Sequence, residues 1–166
     1  FNQVNGGSFS VSVVKPGSPL PETPDLKKLL IDEENKNLSA NKPYDDFRTR
    51  IYEFKSNLRE LLDKIHKEKG LILGYGASTK GNVLLQFVGI TSKDIPYMGE
   101  VNADKFGCYT PGTLIPIISE EEAKKMNPDY FFIFPWHFKD FILEKERRDS
   151  DKNFLLLFPL PSIEIL

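Results

Sequence analysis

The stretch Leu71-Ile72-Leu73-Gly74-Tyr75-Gly76-Ala77-Ser78-Thr79-Lys80-Gly81-Asn82-Val83 has the residue types needed to hold an anion. An apolar run leads into Gly74 and Gly76, and a helical pattern follows. Glycines let the backbone turn sharply and come close to a ligand. The start of a helix adds unpaired N–H groups and the positive end of its dipole. Lys80 adds a full charge inside the loop. In α/β proteins such a loop, at the C-terminal edge of a parallel sheet, is where ligands sit. The expected chemistry is the cradling of phosphates by Gly74, Tyr75, Gly76, Ala77, Ser78 and Lys80. The plain alternative is a tight strand–helix turn that holds no ligand.

The loop departs from both common fingerprints. The dinucleotide pattern would place its third glycine at position 79, where Thr79 stands. A nucleotide-triphosphate loop would need Lys-Ser or Lys-Thr straight after Gly81, but Asn82-Val83 follows, so an ATPase reading fails. Other candidates lie at the ends of later strands. Glu100 ends a second strand 26 residues after Gly74, at the range where an acid accepts hydrogen bonds from a ribose. A surface glutamate is the competing reading. Trp136 and His137 follow a third strand, offering a ring to stack on a base or sugar and a donor to a phosphate or carbonyl. Equally, Trp136 is a core residue and His137 decorates a helix start. Asn82, Glu100, Trp136 and His137 are the expected contacts to a sugar or nucleoside. Cys108 has no paired base and reads as a small packed residue. His66 reads as a surface residue on a charged helix.

These residues need elements to position them. Residues 8–15 alternate Phe9, Val11 and Val13 with serines, after the Gly6-Gly7 turn signal, and predict a half-buried strand. Residues 16–24 contain four prolines and read as a linker, with a domain boundary near it. Two helices are expected, at about 25–36 and 44–69. The second carries Phe47, Ile51, Phe54, Leu58, Leu61 and Ile65 as an apolar stripe. That stripe suits packing on its own domain, or a partner helix. Strand and helix then alternate: strand 71–73, helix 79–88 with Val83, Leu84, Phe87 and Val88 inward, strand 95–101, extended residues 114–118. Next come a helix capped by Ser119 with Glu122 closing the capping box, strand 129–134, helix 137–147 and strand 153–158. Continuous apolar strands between helices predict an α/β, Rossmann-like, mostly parallel sheet with helices on both faces. A strand, a proline-rich linker and two helices would precede it.

The 166 residues suffice for about one domain. With 22 basic and 24 acidic residues, nothing in the charge favours a nucleic-acid partner. No apolar run approaches the ~20 residues of a membrane span. One cysteine and two histidines make a disulfide framework or a metal site unexpected. The chain opens on Phe1 and is expected to be a piece of a longer protein, in a reducing, cytoplasmic setting. The residues leave oligomeric state open.

The run Gly74-Tyr-Gly-Ala-Ser-Thr-Lys-Gly-Asn82, with Leu84-Leu85 and Gly89-Ile90, resembles the signature of the C-terminal domain of sugar-nucleotide C-methyltransferases. Further matching segments follow in order: Asp104-Lys105 with Gly107, Thr110-Pro111-Gly112-Thr113 with Ile115-Pro116-Ile117, Pro135-Trp136-His137-Phe138, and Phe158-Pro159-Leu160-Pro161. Asn5-Gly6-Gly7-Ser8 resembles the last hairpin of the preceding domain. The resemblance implies that residues 1–24 are the end strand of a methyltransferase domain plus linker. Residues 25–166, including the 25–69 helices, would be a Rossmann-like nucleotide-sugar-binding domain. It implies methylation of a carbon of a nucleotide-linked keto-hexose, often dTDP-linked. S-adenosylmethionine would be bound by an upstream domain and zinc by an N-terminal region. No catalytic residue is then expected in this chain, His137 being the one candidate, and the chain by itself should be inactive. The family commonly has Asp where Glu100 stands. The competing reading is an NAD(P)-type dinucleotide module of an oxidoreductase, favoured by the Gly-x-Gly turn and Glu100. A non-enzymatic scaffold using the 44–69 helix is the third.

Overall fold

Helix formation begins where the prolines stop. The computed structural model describes residues 1–2, 4, 7–21, 23–148 and 153–166. The chain divides into two compact units, Phe1–Phe54 and Lys55–Leu166. Asn5 and Gly6, half of the expected opening hairpin, lie outside the described residues.

In the first unit, the Thr23 hydroxyl caps α1 (Pro24–Asn35) and Pro24 takes the first helical position, where a missing N–H costs nothing. Helix α2 (Lys42–Lys67) starts here. None of the unit's described residues is buried. The expected strand at 8–15 is not formed. Ser8 bridges Asn2 in an isolated pair, and Phe9 and Val13 are 71% and 88% exposed. Alternation sets which side chains share a face, but a strand also needs a pairing partner.

The second unit is built on six strands: β1 (Ile72–Tyr75), β2 (Met98–Glu100), β3 (Ile117–Ser119), β4 (Tyr130–Ile133), β5 (Leu155–Phe158) and β6 (Glu164–Ile165). Their order is β3-β2-β1-β4-β5-β6. All neighbours are parallel except β6, which runs antiparallel to β5. Strand β6 has only two residues, too few to show a pattern in the sequence.

Helix α3 (Thr79–Val88) joins β1 to β2 in one direction along the sheet. Helices α4 (Glu120–Lys125) and α5 (Lys139–Arg147) join β3 to β4 and β4 to β5 in the other. Right-handed crossovers therefore place α3 on one face and α4 and α5 on the opposite one. Leu73, Tyr75, Phe131, Ile133, Leu156 and Phe158 form a core with Ala123 of α4 and Ile142 of α5. The alternate residues Ile72, Gly74, Phe132 and Leu157 point to the other face. Both faces are covered, which explains why the strands show no polar alternation.

The helix starts follow the sequence closely. Ser78 caps α3, Gly89 ends it in the left-handed conformation, and Ser119 and Glu122 form the full capping box of α4. Five details differ. On α3 the buried positions are Gly81, Leu84, Leu85 and Val88, a strict i, i+3, i+4, i+7 stripe, so Val83 falls off it and is exposed. On α2 the buried residues are Leu58, Leu62 and Ile65, while Phe47 is exposed. Residues Trp136–Phe138 form a 3-10 turn before α5 starts. His66, expected at the surface, is half-buried with Nε2 3.0 Å from the Asp94 carbonyl oxygen. Cys108, expected to be packed, is exposed.

Candidate functional site

Strands β1 and β4 are neighbours whose crossovers leave in opposite directions, so a crevice opens at their C-terminal ends. Strand β1 delivers Gly76, Ala77 and Ser78 to it, and β4 delivers Pro135, Trp136 and His137. A cavity of about 230 Å³ touches the loop at Gly76–Ser78. Its other walls come from Glu100, Lys105 and Glu120, from Phe138 just before α5, and from Phe141, Ile142 and Lys145 along α5.

The glycines of the loop do different jobs. Gly76 has φ +81°, and a Cβ there would lie 2.8 Å from Pro135 Cδ. Gly74 makes room for Met98: a Cβ would lie 2.7 Å from Met98 Cε, at the flexible end of a buried side chain. Gly81 lets α3 approach the end of β4, since its Cβ would meet Phe134 Cδ1 at 2.6 Å. The close packing that a third glycine serves in the dinucleotide fingerprint is thus present two residues later. Ser78 Oγ accepts from Gly81 N–H at 3.0 Å and fixes the first turn of α3.

Glu100 is nearly buried, and four donors fill the acceptor positions of its carboxylate. Oε1 accepts from the Val101 and Asn102 N–H groups at 2.8 and 3.0 Å. Oε2 accepts from Ala77 N–H at 2.9 Å and from Lys105 Nζ at 3.0 Å. Lys105 also donates to the Ala77 carbonyl oxygen at 2.9 Å. A carboxylate has about four lone-pair sites, so Glu100 is a brace between the loop and the turn after β2. Burial pushes its carboxyl up, but the Asn102 N–H, Lys105 and the Val101 N–H outweigh burial and hold it below the ordinary 4.5. A carboxyl lowered by folding adds stability that is present above its unfolded value and fades as pH falls through its folded value. Wild type should therefore lose stability more steeply than Glu100→Gln as pH drops below 4.5. Urea midpoints, measured from neutral pH down through the carboxylate range, read this. Parallel acid slopes in the two proteins would contradict it.

Beneath the cavity lies a charged cluster. Tyr75 OH donates to Glu146 Oε1 at 2.9 Å and accepts from Lys145 Nζ at 2.8 Å. Lys145 also donates to both oxygens of Glu120, and Lys124 donates to Glu146 Oε2 at 2.8 Å. Burial, followed by the charges of Glu120 and Glu146, pushes the Tyr75 hydroxyl well above its usual pKa, so it acts as a neutral donor.

At the other end of the loop, Lys80 and Asn82 lie in the first turn of α3, and His137 lies in the 3-10 turn after β4. His137 Nδ1 is a buried polar atom without a hydrogen-bond partner among the described residues. Burial first, and the charge of Lys80 second, lower its pKa below 6.5, so the ring is neutral at neutral pH. Trp136 is half-buried and packs against the core cluster. Away from the crevice, Arg59 donates to both Asp63 and Asp94 and fills the space between two carboxylates that, with His66, would otherwise suit a cation.

A family model described as the C-methyltransferase C-terminal domain matches residues 3–161. The chain belongs to this family. A curated relative, C-methyltransferase NovU of Streptomyces niveus, is 26% identical over 163 residues, which is 98% of this chain and 39% of the relative. The chain therefore spans about two-fifths of that relative's length.

In this C-methyltransferase C-terminal domain the structure sorts the residues singled out by sequence into three places. Tyr75, Gly76, Ala77, Ser78 and Glu100 line the cavity; Lys80 and Asn82 lie in the first turn of α3 and His137 in the 3-10 turn after β4; Gly74 lies against Met98 and Trp136 against the core cluster. Sequence reasoning quoted Lys105 and Phe138 within matching segments without giving either a role, and it missed Glu120, Phe141, Lys145 and Glu146. The i, i+3, i+4 spacing of Phe138, Phe141 and Ile142, continued by Lys145, was the available signal. It marks one face of a helix but not which face meets a loop far away in sequence.

Proposed function

We propose that this domain holds the nucleotide-linked keto-sugar of an S-adenosylmethionine-dependent C-methyltransferase, with the methyl-transfer centre outside this chain. The observation that carries the reading is the β1–α3 loop at the sheet edge, with Lys80 in the first turn of α3 and, after β4, His137, whose buried Nδ1 has no hydrogen-bond partner among the described residues. That combination suits a diphosphate. The loop contributes the first-turn N–H groups of α3 and its dipole, and His137 hydrogen-bonds a phosphate oxygen. Membership of the family, and a relative named as a C-methyltransferase, support the transferase assignment.

Glu100 narrows the ligand. The acid that would read a ribose diol is already filled by Ala77, Val101, Asn102 and Lys105. This disfavours an NAD(P) reading, although the strand order suits a dinucleotide. It also disfavours S-adenosylmethionine, another ribonucleoside, in this crevice. It fits a 2′-deoxynucleotide such as dTDP, which has no diol. The methyl donor supplies the methyl group from its own domain. This chain binds and orients the acceptor, so the isolated chain should be inactive. Residues 1–24 belong, in this reading, to the end of the preceding domain and its linker, and 25–166 to the ligand-holding domain. A cytoplasmic setting is part of this proposal; the described residues include no helix long and apolar enough to cross a membrane.

Calorimetric titration tests the reading. The chain should bind dTDP in the millimolar range or tighter and NADH much more weakly. His137→Ala should weaken dTDP binding about tenfold, the order expected for one hydrogen bond to a charged group. No dTDP binding, or preference for NADH, would contradict it.

A further inference from the structure

We propose that the cavity between the β1–α3 loop and α5 seats the nucleobase, with Phe138 and Phe141 as its aromatic walls and the Lys145–Glu120 pair at its polar end. The proposal rests on the ligand being a nucleotide sugar and assigns its two ring systems to different ends of the loop. Such a ligand is a diphosphate with a ring at each end. The cavity meets the loop at Gly76–Ser78, whereas Lys80, Asn82 and His137 are not among its walls. The cavity end offers the rings of Phe138 and Phe141 and the aliphatic Ile142, with its charged walls Glu100, Lys105, Glu120 and Lys145 already engaged with protein groups, whereas the other end carries Lys80, Asn82 and His137. A flat base with apolar faces matches the first, and a hydroxyl-rich hexose matches the second.

Three features support the base at the α5 end. Phe138 and Phe141 are large rings left 49% and 67% exposed at the cavity wall. The volume of about 230 Å³ suits one ring system, since pockets that enclose a whole ligand run about 300–1,000 Å³. At the polar end Lys145 spends its three N–H groups on Tyr75 and the two oxygens of Glu120, and Glu120 keeps spare lone pairs that can accept a base N–H. That pair is held in place, because Lys145 also donates to the buried Tyr75 hydroxyl at 2.8 Å and Lys124 Nζ lies 3.4 Å from Glu120 Oε1.

The test compares wild type, Phe141→Ala and Phe141→Trp in calorimetric titrations with dTDP and with inorganic pyrophosphate. Phe141 is exposed, so thermal melting should be unchanged in both variants. Phe141→Ala should bind dTDP about tenfold more weakly, the scale of one base–aromatic stack. Its pyrophosphate affinity should stay at the wild-type value, and Phe141→Trp should keep dTDP affinity. Unchanged dTDP binding in Phe141→Ala, or an equal loss for pyrophosphate, would overturn the base assignment while leaving the diphosphate loop standing. A wild-type chain that binds neither probe would overturn the nucleotide-sugar reading and the base assignment with it.

Discussion

Gly76→Val should abolish dTDP binding and cost about 3 kcal/mol of stability, the sum of two separate penalties. The first is conformational. Gly76 sits at φ +81°, where a side chain costs roughly 1–2 kcal/mol, and a β-branched one is worse. The second is steric. The Cβ would lie 2.8 Å from Pro135 Cδ and 2.9 Å from Pro135 Cγ, atoms of a closed ring that cannot rotate away. Such overpacking adds roughly 1–3 kcal/mol. Relief requires the loop to move off Pro135. That movement would pull Gly76 N–H from the Gly99 carbonyl oxygen, 2.8 Å away, and Ala77 N–H from Glu100. Gly89 is the control: its φ is +79°, and a Cβ there would meet nothing within 4 Å, so Gly89→Ala bears only the conformational penalty. Urea denaturation and dTDP calorimetry read both effects. A Gly76→Val protein as stable as Gly89→Ala, still binding dTDP, would contradict this account of the loop.

Lys124→Met should cost about 3–5 kcal/mol, as expected for a buried carboxylate stripped of its cation. Glu146 is 0% exposed, and Lys124 Nζ, 2.8 Å from Oε2, is its close cationic partner. The Tyr75 hydroxyl remains on Oε1, but Lys145 lies 4.0 Å away and is engaged with Glu120. The methionine keeps the aliphatic length, so the loss is electrostatic and not a cavity. Adding Glu146→Leu should restore most of the stability, because a buried pair replaced by apolar groups is often near neutral. A single Lys124→Met substitution that costs less than about 1 kcal/mol would show that Glu146 does not depend on this pair.

The local signals in the sequence were those that depend on neighbours in the chain. Ser78, Gly89, Ser119 and Glu122 act at short range, and the helices they bound form where the residues predict. Continuous apolar strands gave the two-sided parallel sheet, because burial on both faces removes alternation. The segment 8–15 shows the limit of that logic. Its alternation is clear, yet pairing is a property of two segments, and among the described residues only the Asn2–Ser8 bridge forms. The site divides in the same way. The loop 74–82 was legible because a single stretch carries strand, turn and helix start. Glu100 was found by its distance from Gly74, but its role as a brace depends on Lys105 and Ala77 meeting it in space. Phe141, Lys145 and Glu120 were invisible as a group, since they come from α4 and α5 and converge only when both helices lie on one face of the sheet.

The central claim, that the β1–α3 loop holds the diphosphate of a nucleotide sugar, is tested most directly by following backbone amide resonances of the chain during addition of dTDP. The account predicts that the largest shifts fall on Gly76, Ala77, Ser78, Thr79 and Lys80, with the His137 ring following. Shifts confined to other regions, or no shifts with ligand in large excess, would contradict it.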